Sequence, residues 1–331
     1  MESILDVKPG PRYGRDDRIL IVSISRTGST WLSNALANTP GTESWPEPDN
    51  IDASADTNAK YGSSGFGPYP ILNAGDDGGV YRALWDVVFK SGVSSKFLEA
   101  MIPILKPFLK LPKPILRPLV RAGGKVLTLL PSRSKRNLVK TVYASFAVEW
   151  LVDTYDPRVI LTQRHPLSII ASWRDLNIPQ FDLTTRPEFL SAYGDRYEGD
   201  PPSDQDSNLT RIAWIVGFLT TVMGDALDKH PEWLLVNHED MCIDPVTKFR
   251  ALCDVVGIPW SENVTDYLMK SNRPGEGLAP QRITSEQVNK WRAVLSQEEV
   301  KEAVEVLKRF PRMGWIRKPD DWEELFQWQA S

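Results

Sequence analysis

Between Arg18 and Leu36 the chain reads RILIVSISRTGSTWLSNAL, and its pattern changes twice within that stretch. Residues 19–24 are a short apolar run rich in β-branched side chains, which predicts a buried strand. Ser25-Arg26-Thr27-Gly28-Ser29-Thr30 then brings small and hydroxyl side chains, one glycine and one cation. From Trp31 onward, apolar residues return at helical spacing through Leu32, Ala35 and Leu36. Strand, tight loop and helix start are the ingredients of an anion site. The first helical N–H groups have no intrahelical partner, and the helix dipole is positive there. Thr27, Ser29 and Thr30 add hydroxyl donors, Arg26 adds a full charge, and Gly28 allows close backbone approach. A Mg²⁺-nucleotide loop of the form G-x-x-x-x-G-K-[ST] is excluded, because the second glycine and the lysine are missing.

The same arrangement recurs further on. Residues 157–162, PRVILT, read as a second buried strand, followed by Gln163-Arg164-His165-Pro166 and a helical run from Leu167 to Leu176. Arg164 falls in the loop, and Ser172, eight residues later, falls on the helix. A third strand at residues 233–236 ends in Asn237-His238-Glu239-Asp240.

Together these residues resemble the sulfotransferases that use 3′-phosphoadenosine-5′-phosphosulfate (PAPS). Residues 25–32, SRTGSTWL, are similar to that family's 5′-phosphosulfate loop, with Ser25 in place of its usual proline. Residues 159–173, VILTQRHPLSIIASW, resemble its 3′-phosphate signature, in which the Arg and Ser match Arg164 and Ser172. The segment around His238 is similar to one that carries a tyrosine near the adenosine. Residues 282–292, RITSEQVNKWR, resemble the basic segment that closes over the 3′-phosphate, with Lys290 the best match and Arg282 and Arg292 secondary. The resemblance implies that Trp31 stacks on adenine. It also implies that Arg26 and Lys140 stabilise the transferring group.

The base is the point of departure. In the cytosolic branch a histidine follows the lysine and threonine, whereas Lys140-Thr141 is followed here by Val142. Another branch carries a glutamate shortly after the first helix. Glu47 fits that place best and Glu43 second. His165 stands where the family has Asp or Asn, at the 3′-phosphate end, and is not expected to replace the base.

The implied fold is α/β: three layers in a P-loop-like arrangement, with a mostly parallel central sheet and helices on both faces. The ligand is expected at the carboxyl ends of the strands. A single domain over residues 1–331 is expected, with an atypical segment at about 40–136 and acceptor-side loops at about 177–208. Residues 39–79 read as loop, rich in Gly, Pro, Asn, Asp and Ser. Residues 89–140 hold twelve basic residues against one acid, Glu99, while the whole chain has a formal charge of −4. The charges exclude a transmembrane span. Such a proline-broken amphipathic stretch suits an anionic membrane surface, a lid over a hydrophobic acceptor, or packing against the acidic remainder.

Two cysteines and three histidines supply neither a disulfide framework nor a metal cluster, and no metal is expected. The overall charge gives no reason to expect nucleic acid. The N-terminus has no apolar signal core, so a cytoplasmic protein, with peripheral membrane contact through the basic stretch, is the expectation. The activity implied is sulfuryl transfer from PAPS to a hydroxyl or amine, giving PAP and a sulfated product. The acceptor class stays open among small molecules, lipids and glycans, as does the oligomeric state. A nucleotide kinase would need the missing lysine and Mg²⁺ ligands. A non-catalytic PAP-binding or membrane-associated module of the same fold is the remaining rival, and turnover separates it.

Overall fold

The computed structural model describes residues 15–50, 69–91, 136–178, 186–275 and 281–310, with a few isolated positions between them. Five strands form one parallel sheet in the order β2-β3-β1-β4-β5. They are β1 (Arg15–Ser23), β2 (Thr42–Pro46), β3 (Arg136–Thr141), β4 (Pro157–Gln163) and β5 (Leu234–Asn237). The central β1 pairs Leu20 with Val139 on one side and with Val159 on the other. Strands buried on both faces need no polar alternation, which is why Ile19, Leu20, Ile21 and Val22 form an unbroken apolar run with no exposure.

Successive side chains of these strands feed two separate cores. Ile19, Ile21, Leu138 and Ile160 pack with α1 (Ser29–Ala37), α7 (His238–Ile243), α8 (Pro245–Val256) and α9 (Glu262–Ser271). Leu20, Val22, Val139, Val159 and Leu161 point the other way, onto α2 (Gly79–Lys90), α3 (Val148–Tyr155) and the end of α6 (Asn208–Lys229). Three layers with helices on both faces result. Beyond the sheet, α6 packs with α4 (Pro166–Asp175), α5 (Pro187–Tyr193) and α11 (Gln297–Leu307) around Trp214, Phe218 and Phe310. The first turn of α11 is fixed by a reciprocal capping box between Ser296 and Glu299.

Two expectations are corrected. Residues 42–46, read as loop, form the edge strand β2, in register from Thr42 opposite Arg136 to Pro46 opposite Lys140. TESWP has only Trp45 buried, so it carries little periodic signal, and its terminal proline is tolerated at a sheet edge. The polar stretch at 177–208 holds the short helix α5, anchored through buried Phe189. Most of the basic stretch, together with residues 51–68, lies outside the described residues. No helix among the described residues is long and apolar enough to cross a membrane.

Candidate functional site

The carboxyl ends of β1, β3, β4 and β5 open onto one cavity of about 830 Å³. The first loop lies on one side of it. Arg26 and Gly28 both adopt left-handed backbone conformations, with φ of 74° and 84°. At Gly28 the reason is space as well as conformation. A Cβ there would sit 2.3 Å from Nδ1 of His238, closer than real atoms approach. Ser29 and Thr30 begin α1 and line the cavity, and the Ser23 hydroxyl donates to Ser29 Oγ at 2.8 Å, leaving the Ser29 proton available. Thr27 differs from the expectation, because its hydroxyl does not reach the cavity. It is buried in the loop's own scaffold, donating to the Ile24 carbonyl at 3.0 Å and meeting Thr162 Oγ1 at 2.7 Å.

The second junction is bonded directly to the first. Arg26 Nε donates to Ser172 Oγ on α4 at 3.0 Å, and Arg164 Nη1 donates to the Arg26 carbonyl at 3.1 Å. Residues 138 positions apart in the chain thus form one cradle. Arg282 completes it. Burial, with Arg282 and Arg164 nearby, pushes the Arg26 guanidinium down to about 10. Arg164 is lowered too, chiefly by burial. Burial is the larger cost at each of the three, repulsion by Arg282 and Arg164 adds to it at Arg26, and Glu239 partly offsets it at Arg164, so an added anion relieves the site. Arg164 Nε and Ser168 Oγ are buried without a protein hydrogen-bond partner among the described residues, and both residues line the cavity. A site built this way fits a dianionic phosphate.

Lys290 reaches the same cavity from the start of α10 (Lys290–Val294). Arg292 does not line it; its guanidinium lies over the Trp291 ring instead. Trp291 in turn stacks on His165, 5.2 Å between ring centres. His165 is a helix cap whose Nδ1 accepts from the Leu167 N–H. Burial, with Arg292 and Arg164 nearby, pushes it down to about 4, so it is neutral at physiological pH. Burial, with Arg164 nearby, holds His238 well below the usual imidazole range, and its Nε2 lies 3.6 Å from Cys242 Sγ. Trp31 lines the cavity but packs edge-on against Phe249 and His238, with Nε1 donating to Ser271 Oγ at 3.2 Å.

At the opposite end Lys140 forms an ion pair with Glu47 Oε1. Lys140 is only 3% exposed although it is charged, so this partner matters. Asn50 Nδ2 donates to Glu47 Oε2 at 2.6 Å, and the Glu47 N–H donates to the Lys140 carbonyl at 2.6 Å. Glu47 itself has φ of 50°, an uncommon conformation for a residue other than glycine. Glu43 lies off the cavity and accepts from the N–H and hydroxyl of Ser95 at 3.0 and 3.1 Å. Val142 and Tyr143, which follow Lys140 and β3, line the cavity, as do Leu176 and Ile178 after α4.

Ser25 lines the cavity too, and so do Asn50 and Ser168, which motif reading does not single out. The signal for Ser168 is its position one helical turn before Ser172, on the same face of α4. Among the described residues, no group of three or more His, Cys, Asp or Glu side chains is placed to hold a metal.

No curated protein matches the chain by sequence. Among solved structures, a sulfotransferase domain from the curacin biosynthetic pathway is 14% identical, covering 90% of this chain and 98% of that one, with a TM-score of 0.47. Mouse sulfotransferase SULT7A1 complexed with PAP is 14% identical over 96% of this chain and 90% of that one, at 0.42. Retinol dehydratase in complex with androsterone and inactive cofactor PAP is 14% identical over 96% and 87%, at 0.40. The profile described as "Sulfotransferase family" matches residues 18–262, a span that holds both anion junctions and the Lys140–Glu47 pair. On that match this chain belongs to the sulfotransferase family.

Proposed function

We propose that this protein transfers a sulfuryl group from PAPS to a hydroxyl or amine of a small, hydrophobic or amphiphilic acceptor, releasing PAP, a reaction of the EC 2.8.2 class. The observation that carries this reading is one cavity lined both by converging guanidiniums and by a lysine–carboxylate pair, with Val142 and Tyr143 following the lysine. PAPS would supply the activated sulfuryl group. Arg164, Ser172, Arg282 and Lys290 would hold its 3′-phosphate, and Ser29, Thr30 and the loop backbone at Gly28 its 5′ end. Trp31 and His238 would border the nucleoside. Arg26 and Lys140 would stabilise charge developing at the reacting end, where fixed cations act without reorganisation. Glu47 would take the acceptor's proton, a role worth about 10²–10⁴-fold. The Val142 side chain offers no base, which leaves Glu47 as the carboxylate on the cavity next to Lys140.

Calorimetry with PAP, AMP and ATP in the presence of a chelator tests the donor. PAP is expected to bind at least about tenfold more tightly than AMP, since a charge-assisted phosphate contact is worth about 1.5–3 kcal/mol. Equal affinity for PAP and AMP would overturn the assignment. Release of PAP from PAPS separates an enzyme from a binding module.

A further inference from the structure

The segment that follows β2 does more than present Glu47. Two residues on, Asp49 is 3% exposed and does not line the cavity, yet it holds the ends of three elements together. The Thr141 hydroxyl at the end of β3 donates to both of its carboxylate oxygens at 2.8 Å. The Tyr81 hydroxyl, from α2, donates to Oδ2 at 3.0 Å. Thr141 Oγ1 then accepts from the N–H of Tyr143, on the cavity wall, at 3.1 Å. Lys140 and Thr141 are neighbours on a strand, so their side chains leave opposite faces. One face is bonded to Glu47 and the other to Asp49.

We propose that Asp49 is a positioning residue for sulfuryl transfer, fixing the Glu47 turn and the Lys140 end of β3 in one geometry. It acts through Thr141 and Tyr81 and touches no substrate. The inference rests on the sulfotransfer reading above and on Glu47 and Lys140 as its working pair.

The carboxylate is an expensive choice for a purely structural tie. Burial, partly offset by the Thr141 and Tyr81 hydrogen bonds and reinforced by the nearby Glu47 charge, pushes Asp49 up to about 6. The groups around it are the Thr141 and Tyr81 hydroxyls, Glu47 with its partner Lys140, and the buried Tyr69 phenol. An acid raised in the folded state binds protons more readily than in the unfolded chain, where it titrates near about 3.9. Stability therefore falls as pH rises from about 4 to about 6 on account of this group. A charge kept at a cost in stability is the pattern expected where geometry for function matters.

The experiment compares wild type with Asp49→Asn, Thr141→Val and Thr141→Ser in the full chain. Release of PAP from PAPS is followed with 2-naphthol or water as acceptor, alongside PAP affinity and unfolding at pH 4 to 8. Asp49→Asn and Thr141→Val are each expected to lower kcat by about tenfold or more, since small misplacements of reacting groups carry such costs. PAP affinity should stay within about twofold, and the double variant should be no slower than the worse single one. Thr141→Ser, which keeps the hydroxyl, should retain activity. Asp49→Asn should also lose the decline in stability between pH 4 and 6 and unfold no lower than wild type at pH 8. A structural tie alone would instead lower stability and activity together at every pH, and that result overturns the proposal. So does normal turnover by Asp49→Asn, or additive effects of the two substitutions. If the wild type itself fails to prefer PAP over AMP, or binds PAP but never releases it from PAPS, the sulfotransfer reading has failed instead.

Discussion

Glu47 and Glu43 lie four residues apart and have different surroundings. Glu43 sits within β2 and is bonded to Ser95, off the cavity. Glu47 lies just beyond the strand, in a left-handed conformation that turns its carboxylate toward Lys140 and Asn50. Glu47→Gln keeps the size and most of the hydrogen bonding while removing basicity. It is expected to lower kcat by about 10²-fold or more with PAP affinity nearly unchanged, measured by steady-state kinetics and calorimetry. Glu43→Gln should change kcat by less than about threefold, because its bonds are to Ser95. Normal turnover by the Glu47 variant beside an inactive Glu43 variant would reassign the base.

Among the elements, the loop between β1 and α1 carries the tightest constraint. Gly28 combines a φ of 84° with a neighbouring imidazole ring that leaves no room for a Cβ. Gly28→Ala is expected to destabilise the fold by about 1–3 kcal/mol, through backbone strain and displacement of His238. PAP binding should weaken by more than that loss of stability alone explains, because the displaced ring also lines the cavity. Denaturant unfolding and calorimetry on the same preparation separate the two effects. The edge strand β2 shows how a local signal can be too faint to read. Five residues with one buried side chain do not announce a strand, but pairing with β3 places Pro46 beside Lys140 and so delivers Glu47 to the site.

For the whole molecule, the converging guanidiniums make folding and ligand binding part of one balance. Arg26, Arg164 and Arg282 come from three separate chain segments; burial is the larger cost of holding them together, repulsion adds to it at Arg26, and a bridging anion offsets both. At 100 times its Kd, PAP is expected to stabilise the protein by about 2.7 kcal/mol. Inorganic sulfate should give a smaller rise in Tm that saturates, since it can satisfy only one end of the cradle. A Tm unaffected by either anion would contradict a preformed anion site.

The strand–loop–helix junctions at Arg26 and Arg164 were legible in the residues alone, because apolar runs, glycine placement and helical spacing are local properties. The same is true of the parallel α/β character, since strands buried on both faces need continuous apolar runs. What required the tertiary structure was every relation across the chain. Thr27 carries the right chemistry, but Thr162 and the Ile24 carbonyl take up its hydroxyl inside the loop. Arg292 belongs to a basic segment, yet it lies over Trp291 while Lys290 reaches the cavity. Ser168 and Asp49 have no motif, and only burial and their neighbours mark them out. A sequence specifies the chemistry of each side chain and the period of each element. Which groups meet depends on sheet order and strand register, set by packing between residues far apart in the chain.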